Sequence, residues 1–405
     1  MSRFPKITET FILFEMIEQE RNGMLIELYP LLREHQPVSH PEAEKYLERA
    51  HFHPFASFSI LRANWHYMRR QPKTYFKMLA EVLGGTFGSF NFFAGALGVL
   101  PKSVRFAYEM EKQGITHVHA HFCNHPAVAA LIIHRLTGIN FSFTAHGTDL
   151  HVERRMLDKK VRAAVFAVAI SSYNMEMMVE ECGEWARDKI HLIHCGIDPD
   201  VFMPRSEENS AGPLKIICVA SFEKVKGHEY LVEACRLLQE RSVDFICHLI
   251  GEGPVRSRVE KQISAAGLGD KIILHGSRPR LEVMKMLRHA EVMVLPSVPM
   301  PRGDREGIPV ALMEAMAVGL PVVSSRLSGI PELVESGRTG ILVPPRDVKG
   351  LANALQQLYE EPNLRHCMGK AGREKVLNEF NLKKSAALLA DLIKRANTQA
   401  VNGFR

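Results

Sequence analysis

Asp304-Arg305-Glu306-Gly307-Ile308-Pro309-Val310-Ala311-Leu312-Met313-Glu314-Ala315-Met316-Ala317-Val318-Gly319 is the stretch of this 405-residue chain that decides its fold. An apolar run, Val292 to Pro296, reads as a strand leading into a loop rich in Pro, Gly and charge, and then a helix. Pro309 suits the first helical turn, where a missing N–H costs nothing, and Gly319 suits the position just past the last turn. That first turn presents unbonded backbone amides and the positive end of the helix dipole, a ready seat for an anion such as a diphosphate. Glu306 in the loop and Glu314 on the helix look misplaced beside an anion. They make sense as acceptors for sugar hydroxyls. An amide cradle edged with carboxylates describes a nucleotide-sugar pocket.

Working outward, short β-rich runs alternate with helical patterns on both sides of this stretch. Residues 117–122, 140–145, 165–171 and 189–194 read as strands, as do 214–220, 244–250, 271–275, 292–296, 320–324 and 340–343. Such alternation predicts parallel sheets with crossover helices. A Pro-, Ser-, Glu-, Asn- and Gly-rich segment, Met203 to Pro213, interrupts the rhythm as a linker, and from Val348 onward the pattern is helical throughout. The length is too great for one ordinary core. The expectation is an α/β protein of two Rossmann-like doubly wound domains, with ligands at the carboxyl ends of the strands.

The quoted stretch resembles the E-x7-E signature of the family 4 glycosyltransferases, whose two-domain fold is called GT-B. The bare spacing of two Glu is common. The resemblance rests on Glu-Gly-Ile-Pro before the helix, Gly-Leu-Pro-Val-Val after it and Gly-Ile-Pro-Glu-Leu at 329–333. It implies an acceptor-binding domain over 1–205, a nucleotide-sugar-binding domain over 206–381, and a last helix, 382–405, crossing back to the first. It also implies retention of anomeric configuration without metal or cofactor.

On the donor side the resemblance points to Gly307, Ile308, Pro309, Val310 and Glu314, with Glu306 against the donor sugar. The loop from Val219 to Gly227 carries Lys226, which matches a diphosphate-clamping Lys, but holds Ser221 where the family has an Arg. Arg305 is expected to compensate, with Arg302 as the other candidate. Gly251 and Gly253 lie near the nucleoside by resemblance, and Arg278 near the base. Their Gly-Glu-Gly-Pro turn lacks the third glycine of a dinucleotide fingerprint, which argues against NAD. In the first domain the resemblance places His146 beside the reaction centre, Asp149 as support for its loop, and His121 and Gly196 toward the acceptor. His146, Glu306 and Lys226 are thus the expected catalytic groups. The closest resemblance is to exopolysaccharide enzymes of the colanic-acid type.

Other features bound this reading. The net charge is +6, split +1 up to Arg205 and +5 beyond it. This suits a phosphate-bearing ligand or an anionic membrane surface but is too scattered for nucleic acid. The seven cysteines form no C-x2-C pair and read as reduced residues of a cytoplasmic protein. No signal peptide or spanning segment is visible. His117, His119 and His121 alternate as metal ligands can, but no carboxylate or Cys stands at ligand spacing beside them, so no metal is expected. Asp198-Pro199-Asp200 matches the metal-binding D-x-D pattern formally and reads as a turn. Residues 75–100, Phe-rich and flanked by Lys73, Lys77, Lys102 and Arg105, are either a buried helix pair or a helix resting peripherally on the inner face of the plasma membrane.

Ser2 to Phe11 resembles the loop that follows the first strand of the N-terminal sheet, and almost nothing precedes it. Losing a central strand costs on the order of 10 kcal/mol of apolar burial. The expectation is that the natural product starts upstream or that another segment fills the gap. The reading is therefore transfer of sugar from a UDP- or GDP-sugar to a saccharide or lipid-linked saccharide. A nucleotide-sugar epimerase of the same fold and a catalytically inactive partner protein stay open beside it.

Overall fold

The computed structural model describes residues 1–6, 9–34, 41–204 and 212–402. The chain forms two compact units: Met1–Ile193 with the chain from Lys384 onward, and His194–Lys383. The sequence boundaries of 205 and 381 thus shift to 193 and 383. The reason for the first shift is local. Ile197 bridges Asn381 and exchanges backbone bonds with Phe380 and Leu382, which ties the segment after residue 193 to the second unit.

In the first unit, β1 (Arg3–Phe4) pairs in parallel with β2 (Leu32–Arg33). A four-stranded parallel sheet follows, in the order β3 (His117–His121), β4 (Asn140–Ala145), β5 (Phe166–Ala169), β6 (Ile190–Leu192). Phe141, Phe143 and Ala145 on β4 are fully buried, as parallel strands covered by helices require. The helix Phe90–Gln113 packs on His125–Thr137 and ends at Gly114, whose φ of 68° supplies the left-handed cap. From Lys384 the last helix, Leu382–Asn402, joins this unit: Ala386 accepts from Gln19 Nε2 at 2.9 Å, and Leu389 and Ile393 pack with Phe166 and Val168.

The start of the chain differs from its expected loop. Arg3 and Phe4 are a short strand, and a helix begins at Thr10. Phe4 is buried with Leu13, Met16 and Leu28, which gives this segment a small core of its own. Residues 7 and 8 of the expected loop lie outside the described residues. Among the described residues β3 pairs on one side only, with β4. A cavity of about 210 Å³ lies beside it, bordered by Met1, Glu15, Leu28, Tyr29 and His117 to His121.

The second unit is a six-stranded parallel sheet in the order β12 (Gly340–Val343), β11 (Val322–Ser325), β10 (Val292–Leu295), β7 (Leu214–Val219), β8 (Phe245–Ile250), β9 (Ile272–Leu274). β10 and β11 are buried at every residue. The winding direction reverses between β7 and β10, so the loops leaving these two strands diverge and open a crevice, the usual place for a ligand in such sheets. The expected linker falls mostly outside the described residues, at 205–211.

Candidate active site

The loop after β10 runs from Pro296 to the helix Val310–Ala317. Pro309 stands one residue outside this helix as its N-cap, rather than within the first turn. The first internal bonds run from the Leu312 and Met313 amides to the Pro309 carbonyl, so the Val310 and Ala311 amides lie ahead of the helix bonding and point out of its N-terminus. Among the described residues no side chain caps this end. Gly319, at φ 82°, closes the other end, where Arg373 donates to the Ala317 carbonyl.

The loop after β7 meets this loop directly. Val298 donates to the Val225 carbonyl at 2.8 Å. A Cβ on Gly227 would stand 2.0 Å from the Pro296 carbonyl oxygen, so only glycine allows the two loops to touch. This contact delivers Lys226 Nζ to Glu306 Oε2 at 2.6 Å, and Ser297 Oγ donates to the same oxygen at 3.4 Å. Sequence reasoning gave Lys226 and Glu306 separate ligands; the structure joins them into one ion pair beside the free helix amides. Glu314, one turn along, is pushed up to about 7 by burial, with Arg280 pulling the other way. Among the described residues its carboxyl makes no hydrogen bond or ion pair.

Gly251 and Gly253 let the turn after β8 approach the Ala220 and Phe222 carbonyls, at 2.0 and 2.6 Å from where a Cβ would lie. They position the β7 loop that carries Ser221. Arg278 is spent locally, donating Nε to the His275 carbonyl and pairing with Glu282. Arg305 Nε donates to the Gly303 carbonyl within its own loop.

Sequence reasoning missed His228. It follows Gly227, stacks on Phe222 at 4.3 Å, and is held neutral by burial, with its pKa lowered to about 4. Among the described residues neither of its ring nitrogens has a partner. A His directly after the Lys-Gly of the loop was the available signal.

In the first unit the β4 loop is clasped by one carboxylate. Asp149 accepts from the amides of Cys123 (2.6 Å), Gly147 (2.7 Å) and His146 (3.1 Å). Asn174 Nδ2 donates to the His146 carbonyl at 2.8 Å. The His146 ring contacts Phe11 and Phe122, each with its centroid 4.8 Å away. His121 Nδ1 bonds His146 Nε2 at 3.2 Å, and its Nε2 lies 3.4 Å from Glu15 Oε1. Burial lowers His146 to about 4, His119 to about 3 and His121 well below its ordinary value, and it raises Glu15 to about 8. The cluster is therefore neutral at pH 7, with Glu15 protonated.

Three expectations change here. The helix Thr10–Arg21 brings a carboxylate to the alternating histidines, so Glu15, His119 and His121 have donor atoms within 4.8 Å of one another. Their spacing in sequence exceeds 100 residues, which is why no local pattern announced it. Both ring nitrogens of His119 already bond the Ser142 and Thr144 hydroxyls, at 2.8 and 3.0 Å. Gly196, expected in the first domain, belongs to the second unit, where a Cβ would stand 2.4 Å from the Leu382 nitrogen. The third concerns the cations flanking 75–100: Lys102 is buried and donates to the Leu31 carbonyl at 2.6 Å, and Arg105 pairs with Glu109. Asp198-Pro199-Asp200 is a turn, with the Asp200 amide donating to Asp198 Oδ1 at 3.0 Å.

A doubly wound unit with a Lys–Glu pair and bare helix amides at its switch point offers a seat for an anionic ligand. Residues 51–201 match Glycosyltransferase Family 4, and residues 202–375 match Glycosyl transferases group 1. The chain belongs to the family 4 glycosyltransferases of GT-B fold.

Among relatives, a protein described as a colanic acid biosynthesis glycosyltransferase, WcaL of Escherichia coli, is 43% identical over 209 residues, 51% of this chain and 52% of the relative. The amylovoran biosynthesis glycosyltransferase AmsK of Erwinia amylovora is 39% identical over 51% of each. The chain thus spans about half the length of the curated relatives it matches. A glycosyltransferase structure from Rickettsia africae aligns over 98% of this chain and 97% of its own, with TM-score 0.72 and 17% identity. HepE of Anabaena in complex with UDP-glucose aligns over 73% and 82%, with TM-score 0.62 and 18% identity.

Proposed function

We propose that the protein is a retaining glycosyltransferase that moves a hexose-type sugar from a UDP- or GDP-sugar to a saccharide or lipid-linked saccharide acceptor in exopolysaccharide assembly. The single observation that carries this reading is the Lys226–Glu306 pair set against the free amides of Val310 and Ala311. Colanic acid and amylovoran in the relatives' descriptions support the polysaccharide setting.

In this reading the donor diphosphate sits at the helix N-terminus. The bond from the anomeric carbon to the phosphate oxygen breaks, and the acceptor oxygen bonds the same face. The acceptor proton passes to the departing phosphate oxygen. Lys226 and the amides stabilise the charge that grows there, so no metal ion is required. Glu306 accepts from donor-sugar hydroxyls and keeps Lys226 in place, Glu314 accepts from the ribose, and neutral His146 orients the donor sugar.

The test is a thermal-shift screen of UDP- and GDP-sugars, followed by turnover with and without saccharide acceptors and NMR of the product's anomeric proton. A raised melting temperature with one nucleotide and an acceptor-dependent product of unchanged anomeric configuration are expected. Turnover without acceptor supports an epimerase instead, and the absence of any nucleotide effect overturns the proposal.

A further inference from the structure

The outward faces of three helices in the first unit carry apolar and cationic side chains that sugar transfer does not use. On the helix Phe58–Arg70, Ile60, Ala63 and Tyr67 are buried. Phe58, Leu61 and Trp65 are 83%, 67% and 63% exposed, and their i, i+3, i+7 spacing aligns them in one stripe. Arg62 and Arg69 fall in the same stripe. The helix Pro72–Thr86 begins one residue beyond the cap and exposes Lys73, Phe76 and Lys77; the turn into Phe90–Gln113 exposes Phe87 and Phe90. These helices pack on one another. Eight of the sixteen large apolar side chains exposed among the described residues fall between Phe55 and Leu97. Scattered exposed hydrophobics need no explanation, but such a concentration marks an interaction surface.

Charge decides the partner. Between Glu48 and Glu109 the chain carries eight Lys and Arg against one acid, Glu81, which is paired with Arg135. Of the eight, Arg49, Arg70 and Arg105 pair with Glu20, Glu111 and Glu109, and Lys102 is buried. Among the described residues Arg62, Arg69, Lys73 and Lys77 make no ion pair. A second copy of the chain would set this positive surface against itself, which opposes self-association. Aromatic side chains interleaved with unpaired cations match an anionic lipid interface, where rings sit at headgroup depth and cations meet phosphates. Among the described residues no helix is long and apolar enough to cross a membrane.

We propose that this face docks the protein on an anionic phospholipid bilayer, with Phe58, Leu61 and Trp65 entering the boundary between headgroups and acyl chains. The proposal goes beyond sugar transfer and is read without any donor or acceptor.

The chain has two tryptophans, so Trp185→Phe leaves Trp65 as the only indole. Vesicles of phosphatidylglycerol and phosphatidylethanolamine should float this variant and shift its emission to the blue. Phosphatidylcholine vesicles should do neither. Replacing the four unpaired cations by Gln should weaken partitioning about five-fold per charge, several hundred-fold together, and Phe58→Ser with Leu61→Ser should abolish the blue shift. All six positions are exposed, so unchanged melting temperatures in lipid-free buffer confirm intact folding. Failure to float with the anionic vesicles overturns the proposal, as does flotation unaffected by both sets of substitutions. A lipid-free dimer dissolved by Phe58→Ser and Leu61→Ser would assign the face to a second copy and overturn it equally.

Discussion

The two polar clusters use opposite electrostatics. The switch point of the second unit holds an ion pair, Lys226 with Glu306, beside a helix N-terminus that no side chain caps among the described residues. The β3–β4 end of the first unit holds Glu15, His119, His121 and His146, all neutral at pH 7 because burial makes charge too costly. A charged ligand needs fixed charge to meet it, and a neutral sugar needs only oriented donors and acceptors. In the proposed function the first cluster binds the diphosphate and the second orients sugar hydroxyls.

The contrast breaks most severely at Asp149. Asp149→Ala leaves three amides of the His146 loop without an acceptor. With buried unpaired groups costing about 1–3 kcal/mol each, a loss of roughly 3 kcal/mol or more in urea unfolding is expected. A loss below about 1 kcal/mol in the same measurement would mean the clasp contributes little.

Next comes Lys226→Ala, which removes a charge-assisted contact of about 1.5–3 kcal/mol. Steady-state kinetics should show kcat/KM falling by roughly ten- to a hundred-fold. His146→Gln keeps the local charge unchanged and should lower kcat while leaving donor affinity near its original value.

The neutral cluster makes a pH prediction of intermediate size. Glu15 is raised in the folded protein, so folding holds its proton from the unfolded value near 4.5 up to about 8, and stability falls as pH rises through that window. The histidines, lowered by burial, act oppositely and cost stability only as pH drops below about 6.5. Between pH 6.5 and 8 the Glu15 effect lowers stability by about 1–2 kcal/mol, and the buried Met1 ammonium, lowered to about 6, opposes it. Glu15→Gln should flatten that limb in denaturant titrations; an unchanged limb would remove Glu15 as its source.

The smallest effect sharpens the donor side. Glu314 titrates near 7, and only its carboxylate is a full acceptor for ribose hydroxyls. Nucleotide affinity should therefore rise a few-fold from pH 6 to 8, and Glu314→Gln should erase the rise.

How much of this was legible in the sequence follows the range of each interaction. β4 and β12 begin and end where their apolar runs do, at 140–145 and 340–343, because strand boundaries are set by neighbouring residues. The helix after Pro309 was equally legible, since Pro and Gly act on their own backbone. The approach of Lys226 to Glu306 spans 80 residues and depends on Gly227 meeting Pro296, which no local pattern encodes. Glu15 meeting His121 is likewise a product of packing. The exposed stripe on Phe58–Arg70 went unread because exposure is decided by what else folds against a helix. The place of Gly196 in the second unit was hidden for the same reason: its close neighbour, Leu382, lies far along the chain.

The account rests on a diphosphate seat made by Lys226, Glu306 and the Val310–Ala317 helix. A crystal structure with bound UDP or GDP tests it most directly. The diphosphate should lie on the Val310 and Ala311 amides within reach of Lys226 Nζ, with the ribose on Glu314. A nucleotide bound elsewhere, or none at saturating concentration, would contradict the account.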